Sequence, residues 1–204
     1  MKKLLVSFIL DETGSMETVL DKTISGFNEY IDSLKKQENV LFTLTQFNSD
    51  KVEVVYDSVE VANVAHRNKE NYIPRELTPL YDAIGQTISS LEKKAIGKTQ
   101  PVLVVIQTDG QENFSKEYNS KSIFKKIDEK KKKGWTFVFL GADQDAWLTS
   151  QELGISRGNT MSYLGAETQT AFARVAKGTS CYVNTSGMQT TTFVSDTEDT
   201  GIGK

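Results

Sequence analysis

The 204-residue chain has one cysteine and one histidine. A lone thiol, Cys181, closes no internal disulfide, and a chain without disulfides suits a reducing compartment. A lone imidazole, His66 in the polar stretch "AHRNKEN", offers no placed base for a Ser/His/Asp triad, and a surface role is expected for it. An excess of one charge is also missing. Lys and Arg total 24 against 27 Asp and Glu, a net charge of −3, so nothing draws the whole chain to nucleic acid or to anionic lipid. No apolar run is long enough to cross a bilayer. The start "MKKLLVSFIL" imitates a signal peptide, but Asp11 and Glu12 follow it with no small-residue cleavage site. A cytoplasmic protein with no membrane partner is therefore expected. Glycine-rich phosphate loops with a lysine, internal repeats and linker segments are absent too, which leaves one domain.

What is present alternates between two periods. Residues 3–10, 101–108 and 135–143 are continuous apolar runs, as buried parallel strands require. "VLFTLTQFN" (40–48) and "KVEVVYD" (51–57) flank the turn "SD" and read as an antiparallel hairpin. Helical spacing appears over 17–36, 80–95, 121–133, 145–154 and 168–178, and 159–164 is a candidate edge strand. The expected fold is α/β: a doubly wound, Rossmann-like, mostly parallel sheet with one antiparallel edge strand and helices on both faces. It occupies residues 1–184. From Thr185 to Lys204 the Ser/Thr/Gly/Asp-rich stretch lacks a period and is expected to be a flexible tail.

In such sheets ligands bind beyond the carboxyl ends of strands, where successive connections leave to opposite sides. Two apolar runs deliver aspartates there: Asp11 in "SFILDETGSMETV" and Asp109 in "PVLVVIQTDG". "ELTPLYDAIG" brings Thr78 to a helix start, and Thr13 and Ser15 follow Asp11 at alternate positions. Two carboxylates and three hydroxyls are all hard oxygen donors. They suit magnesium, with manganese or calcium as alternatives, and not zinc.

"DETGS" (11–15), Thr78 in "LTPLYDAIG" and "QTDGQEN" (107–113) resemble the three segments of the metal-ion-dependent adhesion site of von Willebrand factor A domains. Element order over about residues 1–183 is similar as well, and "FLGADQDAW" resembles small bacterial and phage-type members. The family's first motif is usually Asp-x-Ser-x-Ser. Here Thr13 takes the middle place, keeping the ligand oxygen and adding a methyl group. The resemblance implies that Thr13, Ser15 and Thr78 bind the ion, that Asp11 and Asp109 act directly or through water, and that a partner's carboxylate completes the shell.

Other readings stand beside this one. Asp11 taken alone would read as a helix N-cap. Glu12 and Glu112 are expected on the rim outside the metal's immediate ligands, and Asp82 and Asp143 in loop hydrogen bonds. Cys181, Trp135 and Trp147 are expected in the core, and the lysines of "KKIDEKKKKG" on a solvated helix face. The leading function is metal-dependent capture of an acidic protein partner. The alternatives are capture of nucleic acid or a phosphorylated ligand, and metal-assisted phosphoryl hydrolysis. Dehalogenase-type phosphatases place a second Asp two residues after the first, where this chain has Thr13, so the acid for hydrolysis is missing.

Overall fold

The computed structural model describes residues 3–93, 100–141, 146–185 and 190–193. β1 (Leu4–Asp11), β2 (Val40–Phe47), β3 (Val52–Glu60), β4 (Val102–Thr108), β5 (Thr136–Gly141) and β6 (Thr160–Ser162) form one sheet in the order β3-β2-β1-β4-β5-β6. Every pairing is parallel except β2 with the edge strand β3. The signal-like N-terminal run is thus β1, buried along its whole length between β2 and β4.

Alternation along the strands divides the core in two. Leu4, Val6, Phe8 and Leu10 face α1 (Leu20–Lys35) and α5 (Thr168–Asn184). Leu5 and Ile9 face the layer of α2 (Leu80–Lys93), α3 (Ser120–Lys131) and α4 (Ala146–Glu152). Phe8 anchors the first layer, edge-on to Phe27 at 5.5 Å and stacked on Phe172 at 6.0 Å. α5 reaches α1 there because position 26 is glycine; a Cβ would lie 2.6 Å from the Phe172 ring.

α1 leads from β1 to β2 over one face, and α3 leads from β4 to β5 over the other. Strand order therefore reverses between β1 and β4, and their carboxyl ends open a crevice at the centre of the sheet.

Several local expectations are corrected. The helix expected over 17–36 starts as a 3₁₀ turn, Gly14–Val19, and becomes α-helical at Leu20. α5 runs past Gly178 to Asn184, since that glycine is a packing position: a Cβ there would meet the Phe193 ring at 2.6 Å. Cys181 is exposed, because its place on α5 faces away from the sheet. Trp147 is 37% exposed and lies under the Arg157 guanidinium, 5.3 Å from its ring centre, whereas Trp135 is buried. Lys130 is also buried, its ammonium held between Glu92 and the Trp135 ring, so the lysine-rich helix is not solvated all round.

The tail expected to be loose includes four docked residues. Asn159 holds them with both ends of its amide: Nδ2 donates to the Thr190 carbonyl, and Oδ1 accepts from Phe193 N. Phe193 is 3% exposed and packs against Tyr182. Asp143 and the remaining tail residues of 185–204 lie outside the described residues, apart from Thr185 itself, which follows α5. Phe193→Ala should lower unfolding free energy by about 3 kcal/mol, the usual loss for an emptied phenylalanine site. A denaturant midpoint unchanged from wild type would show that the docked segment contributes nothing.

Candidate metal centre

Asp11 is the last residue of β1 and has no solvent exposure. It does not cap the helix that follows. Its Oδ1 accepts from Thr13 N at 2.8 Å, its Oδ2 accepts from Thr108 Oγ1 at 2.5 Å, and its carbonyl accepts from the Tyr72 hydroxyl. Thr13 Oγ1 lies 3.3 Å from Ser15 Oγ, which in turn donates to Asp109 Oδ1 at 2.7 Å. Thr78 joins them across Gly110. A Cβ on that glycine would sit 3.0 Å from Thr78 Oγ1 and 3.3 Å from Ser15 Oγ. The five residues singled out in the sequence, from three loops, thus meet at one end of the sheet.

The loops are stitched together by backbone groups and by the side chains of Glu12 and Tyr72. Ile73 N donates to Glu12 Oε1, Arg75 N to the Glu12 carbonyl, and Gly14 N to the Glu76 carbonyl, at 2.8–3.0 Å. With the Tyr72 bond, these four contacts fix residues 72–76 on the first loop and so present Thr78. Asn113 ties Thr78 to the third loop: its Oδ1 accepts from Thr78 N at 2.8 Å, and its N donates to the Thr78 carbonyl.

The other acids of the rim are engaged in building the loops. Glu112 accepts from Tyr81 N, Phe114 N, Ser115 N and the Ser115 hydroxyl. Asp82 accepts from the backbone N–H groups of Lys116, Glu117 and Tyr118. The loop role expected of Asp82 is what the structure has. His66 is at the surface, 2.8 Å from Asp32 and away from the cluster.

The sequence reading passed over Thr108, Gly110, Tyr72 and Asn113. Thr108, Gly110 and Asn113 belong to the quoted "QTDGQEN", yet Thr108 meets Asp11 across 97 residues and Asn113 meets Thr78 across 35, and Gly110 makes room for Thr78 and Ser15, so none gives a local signal. Tyr72 carried no signal beyond being aromatic in a polar loop.

Electrostatics test whether a cation fits. Burial pushes the Asp11 carboxyl up from 3.8 to about 7, against the downward pull of the Thr108 and Thr13 hydrogen bonds, and the charge of Asp109 adds to the rise. Asp109 is raised too, again by burial first, with the Ser15 hydroxyl opposing. Two carboxyls held above their ordinary range are what a divalent cation would return to the anionic state. Among the described residues no three His, Cys, Asp or Glu side chains gather to hold a metal, so an ion in this cluster would rely on its hydroxyls. Hard oxygens of this kind fit magnesium, manganese or calcium.

The raised pKa has a sign in stability. Between about pH 4 and pH 7 the folded, metal-free chain keeps a proton on Asp11 that the unfolded chain has lost, so stability should fall as pH rises through that window. Denaturant unfolding in EDTA should show that decline, amounting to a few kcal/mol, and Asp11→Asn should make it shallower, leaving the part that Asp109 contributes. A wild-type profile that is already flat would contradict the assignment.

Comparison with known proteins agrees with this architecture. The family model for the von Willebrand factor type A domain matches residues 6–174. No curated protein sequence matches. Among solved structures, the von Willebrand factor domain of the type V pilus tip protein Mfa5 from Porphyromonas gingivalis is similar at 11% identity and TM-score 0.68, over 93% of this chain and 97% of that one. The pilus adhesin SpaC from Lactobacillus rhamnosus GG is similar at 15% identity and TM-score 0.65, over 87% of this chain and 30% of that one. Proximal thread matrix protein 1 of the mussel byssus is similar at 12% identity and TM-score 0.61, over 84% of this chain and 46% of that one. The chain therefore spans less than half of the last two, and at these identities the likeness is one of fold. The chain belongs to the von Willebrand factor type A domain family.

Proposed function

We propose that the chain is a binding module that holds a divalent cation, magnesium foremost, and through it captures an acidic group of a protein partner. The observation that carries this reading is the meeting of Asp11, Thr13, Ser15, Thr78 and Asp109 around Gly110. In this reading Thr13, Ser15 and Thr78 present hydroxyl oxygens to the ion, and Asp11 and Asp109 balance its charge directly or through water. When bound, the ion supplies positive charge that few anionic protein ligands offset, and so favours an incoming carboxylate.

Capture without turnover is part of the proposal. Hydrolysis needs a base within reach of a bound water and a group to assist the leaving atom. Asp11 and Asp109 are committed to the donor cluster. Glu112 already accepts four hydrogen bonds and Asp82 three, so both are spent mainly on holding the loops. No helix among the described residues is long and apolar enough to cross a membrane. A cytoplasmic setting, in a bacterial cell or encoded by a phage, belongs to the same proposal.

Affinity capture from lysate with immobilised full-length chain should retain an acidic partner in magnesium and release it in EDTA. Asp109→Ala should lower that retention at least tenfold while still unfolding cooperatively, because the side chain stands at a strand end and leaves no apolar cavity. Retention that is indifferent to EDTA would overturn the reading. Retained nucleic acid, with steep dependence on salt, would favour the phosphate-binding alternative.

A further inference from the structure

A cleft of about 200 Å³ opens beside the donor cluster, between the β2–β3 turn and the first turn of α2. It shares a wall with the cluster. Thr78 faces the site through its hydroxyl, and Pro79, the next residue, lines the cleft. Asn48, Ser49, Lys51, Phe114 and Lys116 line it as well.

The hydrogen-bonding capacity of this lining is unbalanced. Asn48 is 1% exposed; its Oδ1 accepts from Asp50 N and Lys51 N, which fixes the amide orientation, and its Nδ2 has no hydrogen-bond partner. A buried N–H left unpaired is costly, by about 1–3 kcal/mol. Ser49 Oγ accepts from Leu77 N and keeps its own proton to donate. The Lys116 ammonium lies 4.4 Å from the centre of the Phe114 ring and has no carboxylate partner among the described residues.

Two acids line the cleft: Asp82 accepts three backbone N–H bonds, and Asp50 is paired with Arg75 at 3.6 Å. Glu53, outside the lining, holds Lys51. Lys51 also stands 3.9 Å from Glu12. Three residues that line the cleft thus keep donors to spare, the Asn48 amide, the Ser49 hydroxyl and the Lys116 ammonium, and the group that suits them is an acceptor.

We infer that the cleft takes a second acidic side chain from the partner segment whose first acid meets the ion. This rests on the metal-capture reading above. An extended segment advances about 3.3 Å per residue, and the two sites sit on either side of consecutive residues. The two acids are therefore about two or three residues apart. Engaging both at once makes the second contact intramolecular, which raises affinity beyond either alone.

Capped peptides carrying two aspartates at these spacings, or one aspartate only, should be titrated in magnesium into nitrogen-15-labelled full-length chain. A two-acid peptide should bind at least tenfold tighter than the single-acid peptide and move the Asn48 side-chain amide resonance. Lys116→Ala, which keeps the backbone N–H that Asp82 uses, should erase that advantage and leave manganese affinity unchanged. Equal affinities, an advantage that survives Lys116→Ala, or an unmoved Asn48 amide would overturn the inference while leaving metal capture standing. Inorganic phosphate that moves the Asn48 amide as far as the peptide does, without magnesium, would assign the cleft to free anions and overturn it too. If no peptide binds in magnesium although manganese does bind, the capture reading fails and this inference fails with it.

Discussion

A carboxylate without solvent exposure ends the central strand of the sheet, and the surrounding loops are arranged about it. Burial alone would keep Asp11 protonated near neutral pH. Thr13 N and the Thr108 hydroxyl counter this in part, and the charge of Asp109 opposes them. Such a position is destabilising in isolation, since a buried acid without a cation lowers stability wherever it ionises. It makes physical sense as a place kept ready for positive charge.

The remaining architecture keeps that place in register. Four bonds lock residues 72–76 on the first loop, and the reciprocal Asn113–Thr78 pair locks the third loop on the second. Glu112 and Asp82 then fasten the third loop to the first turn of α2. Each of these bonds has a backbone group on at least one side, so the main chain that carries the donor cluster is held in place by the fold. Preorganisation of this kind lowers the ordering penalty when a charged group arrives.

Much of this was legible in the sequence, for identifiable reasons. β1 and β4 are continuous apolar runs that end in aspartate, so both the strands and the position of their acids could be read directly. The β2–β3 pair was marked by "SD" between two β-rich segments. What escaped were contacts between distant segments. Thr108 serves Asp11 from 97 residues away, and Tyr72 holds the Asp11 carbonyl from 61. The helix expected over 168–178 continues to Asn184, and Gly178, where the expected helix ended, is the gap that admits Phe193. Lys130 looked solvated because its neighbours are lysines, yet α3 turns that one residue toward Glu92 and Trp135. Periodicity reports which face is apolar; it does not report an ion pair folded into that face.

The central claim is that the five oxygen-bearing residues hold a single divalent ion around the space beside Gly110. Titrating the full-length chain with manganese, followed by water-proton relaxation and competed with magnesium, tests it most directly when paired with Gly110→Ala. That variant changes no donor but sets a methyl group 3.0 Å from Thr78 Oγ1 and 3.3 Å from Ser15 Oγ. The account predicts one magnesium-competed site in the wild type and at least a tenfold weaker one in Gly110→Ala, with cooperative unfolding retained in both. Wild-type protein that binds no manganese at millimolar concentration, or a Gly110→Ala chain that binds it equally well, would contradict it.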